Sequence, residues 1–368
     1  MYDAPDNSKD IGVFLPIANG GWIISKNTPR LDGLYATNRQ AAVIADRIGL
    51  DFIMSMSKWR GFGGETDHWR HSMDSLTMMA GLAEATTRVK VWATMHTLIH
   101  NPAVVAKAIT TLDYISNGRA GLNIVAGAYR EEFAQMGRWD DTLTHADRYD
   151  LAEEWITIVK RLWSEPSVDF RGKYFQMEDC QSDPKPLSRP RPTLIAAGQS
   201  DRGFEFATTH ADACFISGAN NDERREHAAR ARETAARKGG STKVYAMCIV
   251  IHAETDAKAE ARSNYFDEGR DMGAILAQMK SWGVPEERAK AMAGAAKATH
   301  NYPVIGSPAT VREGIEAYIR ESDLDGVMLI FPDYTEGLEM IGSEVLPHLR
   351  KAFAQAGKVG FGLEPGEQ

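Results

Sequence analysis

Three places in the chain combine residue types and spacings that could do chemistry. Asn123 interrupts the apolar run Gly121-Leu122-Asn123-Ile124-Val125. Asparagine is depleted in strands, and a buried amide must find partners. It is therefore either a tie between strand ends or a group aimed at a ligand. The turn Gly198-Gln199-Ser200-Asp201 joins an apolar run to a helical pattern. Glycine lets a backbone approach closely, and free N–H groups at a helix start favour an anion, so a phosphate could sit there beside the Ser200 hydroxyl. The plainer alternative is an ordinary N-cap by Ser200 or Asp201. Arg148-Tyr149 opens a helical stretch. A guanidinium forks onto phosphate oxygens, although a surface arginine is the commoner case.

Other motifs exclude chemistry. His68 and His71 lie near Asp67, but no HExxH or carboxylate-rich third partner follows, so no metal site is expected. Gly61-Phe62-Gly63-Gly64 lacks both phosphate-loop spacings and reads as a mobile rim loop. No GxSxG elbow is present; the nearest string is Ile216-Ser217-Gly218-Ala219. Met54, Met56, Trp59, Trp92 and Phe215 gather in or near strand ends. They are core by default, or an apolar wall for a flat ligand.

These residues need elements to position them. Short apolar runs at 11–16, 52–56, 89–94, 120–125, 193–197, 213–216, 244–251 and 326–331 predict strands. Helical periodicity fills 39–48, 74–86, 104–116, 148–163, 204–210, 223–238, 307–321 and 335–356. Eight strands alternating with helices predict an α/β fold, a (β/α)8 barrel whose active site lies at the C-terminal strand ends. Two segments exceed that plan. Residues 163–192, with a strand-like piece at 174–177, form an excursion before strand five. Residues 254–303 form a helical insertion before strand eight, expected to cap the upper face. The expectation is one barrel domain over 1–357 and a flexible tail over 358–368.

The 368 residues can bury a large core. A net charge of −8 argues against nucleic acid as partner. Three scattered cysteines imply neither a disulfide framework nor a zinc cluster. Residues 1–10 have no apolar signal core, and no apolar run approaches membrane-spanning length, so a cytoplasmic protein is expected.

Taken together, several strings resemble the bacterial luciferase-like flavin monooxygenases. They are Ile11-Gly12-Val13-Phe14-Leu15-Pro16-Ile17, Gly20-Gly21-Trp22, Arg60-Gly61-Phe62-Gly63-Gly64, Ala93-Thr94, Asn123-Ile124-Val125, Gln135-Met136-Gly137, Arg148-Tyr149 and Ala197-Gly198-Gln199-Ser200-Asp201. The nearest branch is the pyrimidine-oxygenating RutA type, and the resemblance runs from about residue 10 to about 355. It implies reduced FMN (FMNH2) delivered by a separate NAD(P)H-dependent flavin reductase. It implies FMN contacts from Ser57, Lys58, Asn123, Glu132, Arg148, Tyr149, Gly198, Gln199 and Ser200, the last group and Arg148-Tyr149 at the phosphate. Asn123 and Thr94 would border the reactive ring edge and orient oxygen. Met54, Met56, Tyr129 and Phe215 would line the oxygen and substrate pocket. His96, Arg60 or His68 would polarise a carbonyl or protonate a leaving nitrogen. The activated oxygen would attack a ring carbonyl and open an amide C–N bond. A homodimer or homotetramer is implied by analogy.

The resemblance also has gaps. Asn123-Ile124-Val125-Ala126-Gly127-Ala128-Tyr129 has Ala126 and Ala128 where that branch carries Thr and Trp, and His96 stands where it carries a small residue. The substrate thus stays open: another cyclic amide, a larger heterocycle or a haloaromatic. Competing readings are a sulfonate or sulfone monooxygenase, a non-enzymatic flavin-binding barrel, and a deazaflavin-dependent hydride-transfer enzyme.

Overall fold

A computed structural model describes residues 9–198, 200–299 and 303–356. The first half of the chain gives β1 (Asp10–Phe14), α1 (Tyr35–Ile48), β2 (Phe52–Met54), α2 (Ser75–Glu84), β3 (Lys90–His96), α3 (Pro102–Ile115), β4 (Ala120–Val125), α4 (Arg130–Ala134) and α5 (His145–Ser164). There follow β5 (Val168–Arg171), β6 (Gln176–Cys180), β7 (Thr193–Ala197), α6 (Asp201–His210), β8 (Ala213–Ile216), α7 (Asn221–Arg237) and β9 (Lys243–His252). The last part holds α8 (Asp256–Glu268), α9 (Met272–Ser281), α10 (Glu286–Ala295), β10 (Val304–Gly306), α11 (Pro308–Glu321), β11 (Gly326–Ile330), α12 (Tyr334–Met340) and α13 (Leu346–Ala356).

Strands β1, β2, β3, β4, β7, β8, β9 and β11 pair in that order, all parallel, and β11 returns to β1. The closed eight-stranded barrel is therefore the predicted one. All eight expected runs form its strands, with ends shifted by no more than two residues. Local signals set the helix starts. Asn101 caps α3 ahead of Pro102, Thr144 and Asp147 form a capping box on α5, and Ser307 caps α11 ahead of Pro308.

Three elements differ from expectation. The excursion before β7 is a two-stranded antiparallel hairpin, β5 with β6, and the strand-like piece expected at 174–177 lies at Gln176–Cys180. β10 adds parallel to β9 outside the ring of eight. The helix expected over 335–356 is broken by a wide π-type turn at Ile341–Val345. That break precedes Pro347, which has no N–H to give to the preceding turn.

Parallel register puts paired residues on one face, so Thr94, Asn123 and Ile195 share the face of Trp92 and Gly121. Lower in the barrel, Phe52 and Trp92 stack with centroids 4.0 Å apart, and Tyr245 lies parallel to both at 5.6 and 6.1 Å. Only glycine fits beside them. A Cβ on Gly12 would fall 2.4 Å from the Phe52 ring, and one on Gly121 2.3 Å from Trp92. This aromatic floor seals the barrel and leaves its other end for chemistry.

The 254–303 insertion contributes α8, α9 and α10, which are stitched to the loops after β1 and β2. Ser25 Oγ donates to Phe266 O at 2.7 Å, and Asn27 Nδ2 to Tyr265 O at 2.7 Å. Asp271, fully buried, caps α9 and accepts from Thr66 N (2.7 Å) and Thr66 Oγ1 (2.8 Å). The loop at 61–64, expected to be mobile, is accordingly braced. Phe62 N donates to His68 O and His68 N to Gly63 O, both at 2.8 Å, while Gly64 packs directly on Asp271. Among the described residues no helix is long and apolar enough to cross a membrane.

Candidate active site

At the C-terminal end of β3 and β4, Asn123 Nδ2 donates to Thr94 Oγ1 at 2.9 Å. Thr94 Oγ1 in turn donates to Ser55 O. This chain fixes the amide so that its carbonyl end, Oδ1, accepts nothing from the described residues. The mouth is open here: Ala197, on the same inward face, is exposed, and Val125 and Met247 are half-buried. Met54 and Met56 sit buried on the β2 side. Asn123 and Thr94 thus come together as a tie between strands that still leaves one acceptor spare. Of the two alternatives open from sequence, the tie between strand ends is the one the hydrogen bonds show.

His96 lies one turn of the pleat above Thr94. Its Nε2–H donates to Ser57 O at 3.1 Å, which leaves Nδ1 as an unprotonated acceptor. That nitrogen is buried and has no hydrogen-bond partner. Burial pushes the His96 pKa down to about 4, so the ring is neutral near pH 7.

Glu132 organises the loop after β2. Its carboxylate accepts from Lys58 Nζ (3.0 Å), Trp59 N (2.6 Å) and Arg60 N (3.3 Å). Lys58 is nearly buried and also lies over the Tyr129 and Phe62 rings at 4.5 and 4.8 Å. Both oxygens of Glu132 are engaged by the protein's own donors, so the carboxylate acts by holding residues 57–60 in place. Burial lowers the Lys58 pKa against the pull of Glu132.

The other corner of the mouth is polar. Ser200 caps α6 by accepting from Gly203 N at 3.1 Å, and its Oγ lies 3.3 Å from His145 Nε2. The N-cap role foreseen as the plainer alternative is therefore filled. Tyr149 packs against the same turn: a Cβ on Gly203 would come within 2.3 Å of its hydroxyl. Gly198 is equally constrained, since a Cβ there would strike the Gly203 backbone at 2.1 Å. Arg148 stacks over Trp139 at 4.9 Å and donates Nη1 to Leu143 O at 3.1 Å, but its Nε is buried and unpartnered. No carboxylate pairs with Arg148 among the described residues. A guanidinium with a spare buried donor, beside a helix N-terminus, suits a phosphate. Gln199 lies outside the described residues.

Two expected pocket residues pack against neighbouring rings and loops. His68 is buried between Gly20 and the Trp69 ring, within the wall of the loop. Phe215 meets Tyr245 edge-on at 5.6 Å and packs on the floor. The structure also brings in Phe14, Trp22, Trp69 and Phe62, which sequence reasoning did not select as pocket lining, leading to Tyr129, which it did. Phe14 stacks on Trp22 at 3.9 Å, Trp22 meets Trp69 at 5.0 Å, Trp69 meets Phe62 at 5.2 Å, and Phe62 meets Tyr129 at 5.8 Å. The Gly20-Gly21-Trp22 string was the available signal for this wall, and the three-residue step from Arg148 back to His145 the signal for the corner. A separate polar cleft of about 310 Å³ opens between Ser57, Lys58, Trp59, Arg70 and His71, and none of Asn123, Thr94 and His96 lines it.

Comparison with known proteins places this geometry. Residues 10–324 match the family model described as luciferase-like monooxygenase. The pyrimidine monooxygenase RutA of Methylorubrum extorquens (strain PA1) is 38% identical over 360 residues, covering 95% of this chain and 96% of that one. Among solved structures, a riboflavin lyase with modified FMN and riboflavin superposes with a TM-score of 0.83 at 21% identity, covering 94% of this chain and 92% of that one. A long-chain alkane monooxygenase gives 0.82 at 19% identity, covering 98% and 94%. These two structures support the fold alone.

Proposed function

The chain belongs to the luciferase-like monooxygenases and is a flavin monooxygenase, and on that premise we propose that it is the oxygenating half of a two-component system. A separate NAD(P)H-dependent reductase supplies reduced FMN, and dioxygen is used to oxygenate and open a pyrimidine-like cyclic amide or related heterocycle. The pyrimidine monooxygenase relatives support that substrate class. A cytoplasmic homodimer or homotetramer belongs to the same reading. Family membership sets aside the non-enzymatic barrel.

The observation that carries the cofactor is the unpartnered Nε of Arg148 beside the Ser200 turn. Arg148, Tyr149, Gly198 and Ser200 would hold the phosphate, and Ser57, Asn123 and Thr94 would border the ring. The bound reduced flavin supplies electrons and the centre at which dioxygen is activated. The chain's own residues do the rest. Asn123, locked by Thr94 Oγ1, presents a fixed polar group where charge changes, which avoids reorganisation during reaction. His96 Nδ1, neutral and lacking a partner, accepts an N–H of the cyclic amide and orients its ring. Met54, Met56 and the Phe14–Trp22 stack exclude water.

The test combines the protein with FMN, a flavin reductase, NADH and labelled dioxygen. Uracil, thymine, other cyclic amides, short sulfonates and haloaromatics are screened for labelled product. Label in a ring-opened amide is the expected result. Tight reduced-FMN binding with no label in any product overturns the oxygenase reading. Asn123→Ala should lower turnover by about two orders of magnitude, the scale of removing one preorganised donor or acceptor. Unchanged turnover would remove Asn123 from the centre.

A further inference from the structure

Arg60 differs from two neighbouring arginines around the mouth. Arg130 grips Asp141 through bonds of 2.9 and 2.8 Å, and Arg70 lies 3.8 Å from Asp67. Arg60 is exposed and has no carboxylate within ion-pair distance among the described residues. Its guanidinium faces the Tyr129 hydroxyl instead. The backbone beneath it is fixed, because Glu132 accepts from Arg60 N at 3.3 Å and from Trp59 N at 2.6 Å. Gln135 Nε2 adds a further tie to Trp59 O at 2.8 Å. A freely solvated surface arginine has no need of such anchoring.

Tyr129 beside this cation is half-buried, and the Phe62 and Trp69 rings behind it are buried. The Tyr129 ring continues the aromatic wall through Phe62 to Trp69 and Trp22. Ala128, next to Tyr129, is exposed and offers only a methyl group. Gly127 before it has φ +90°, and a Cβ there would press within 2.9 Å of Leu98 and Phe133, so this turn keeps the loop tight while leaving space beside Ala128. Lys58, the other cation of the wall, is already neutralised by Glu132. Arg60 thus presents a guanidinium with no carboxylate partner among the described residues beside the Tyr129 ring. Arginine binds carboxylates in a planar fork and tolerates an aromatic neighbour.

Resting on the oxygenase reading above, we propose that the preferred substrate is a planar heterocycle carrying an anionic substituent, a carboxylate, that Arg60 binds while the ring lies beside Tyr129. Arg60 is a specificity-determining residue, and the room beside Ala128 accommodates the substituent. A bare pyrimidine ring offers the guanidinium no carboxylate.

The probe is binding, which does not depend on oxygen transfer. Protein loaded with oxidised FMN is titrated by calorimetry with uracil, with orotate, and with 5-carboxyuracil, at low and high salt. At least one carboxylate should bind ten- to a hundredfold more tightly than uracil, roughly the range of a charge-assisted hydrogen bond. The preference should shrink with salt. Arg60→Gln should erase the preference without changing FMN affinity, and Arg60→Lys should restore part of it. Equal affinity for charged and neutral rings overturns the proposal, as does failure of both carboxylates to bind, or a preference that survives Arg60→Gln. None of these outcomes touches the labelled-oxygen test, so the two readings fail separately.

Discussion

The floor and the mouth of this barrel are made from the same eight strands but handle polar groups in opposite ways. At the floor side, Asp46 accepts from Thr87, Arg88 and Val89, and Asp51 accepts from Ile11 N at 2.6 Å and Arg350 at 2.7 Å. Arg119 donates to the carbonyls of Ala83, Thr86, Val89 and Ser116. Tyr245 donates to Asp10 above a plug of stacked rings. The Trp92 Nε1 is an exception, buried without a partner. At the mouth, His96 Nδ1 and Arg148 Nε are buried without a partner, and Asn123 Oδ1 accepts nothing from the described residues. A buried polar group left unpaired costs about 1–3 kcal/mol. The mouth therefore carries destabilisation that the floor avoids, as expected where polar groups await a ligand.

The comparison can be broken from either side. The largest effect should come from the floor. Phe52→Ala should cost about 3–5 kcal/mol in urea unfolding, the range for deleting a buried aromatic, while the folded variant keeps its FMN affinity. A loss of FMN affinity in folded protein would show that the floor serves the site. Glu132→Leu should cost a comparable amount, about 3–5 kcal/mol, because it strands the buried Lys58 charge. Adding Lys58→Met should restore most of it; no recovery would mean that the carboxylate's backbone bonds dominate.

His96 gives a smaller, pH-dependent effect. Its folded pKa, about 4, lies below the ordinary value of 6.5, so the unfolded chain binds the proton first as pH falls. The contribution is complete above pH 6.5 and lost as pH falls through about 4. At 1.36 kcal/mol per unit it amounts to about 3 kcal/mol. The difference in stability between wild type and His96→Asn, followed from pH 7 to 4, should narrow by that amount; a constant difference would mean the imidazole is not buried neutral. Arg148→Gln should have the smallest effect on folding, within about 0.5 kcal/mol. Its FMN dissociation constant should nevertheless rise about tenfold or more by fluorescence titration. The reverse pattern would assign Arg148 to the scaffold.

Much of this fold was legible because parallel barrel strands are buried on both faces and read as unbroken apolar runs. β5 was not legible: Val168-Asp169-Phe170-Arg171 is short, largely polar and pairs only within its own hairpin. β10 was hidden because three residues following a long insertion carry no periodicity. In the site, Asn123 was visible as an amide in an apolar strand, and its bond to Thr94 follows from parallel register. The internal engagement of Glu132 and the Phe14–Trp22–Trp69 contacts were not visible. Apart from Phe14–Trp22, they join residues tens of positions apart, and all run through loops, where periodicity gives no guide. The burial of His68 was not visible for the same reason: three-residue spacing from His71 does not say which of the two turns inward, and only His68 is buried.

The bond from Thr66 to Asp271 spans 205 positions. A ribosome adds residues at roughly 5–20 per second, so the loop edging the substrate end emerges roughly 10–40 s before its anchor. Until then the apolar surfaces of Phe62 and Trp69 have no fastening from the insertion, and a nascent chain stalled before Asp271 would present them to chaperones. The entrance to the barrel is thus completed late in synthesis, by a segment that belongs to none of its eight strands.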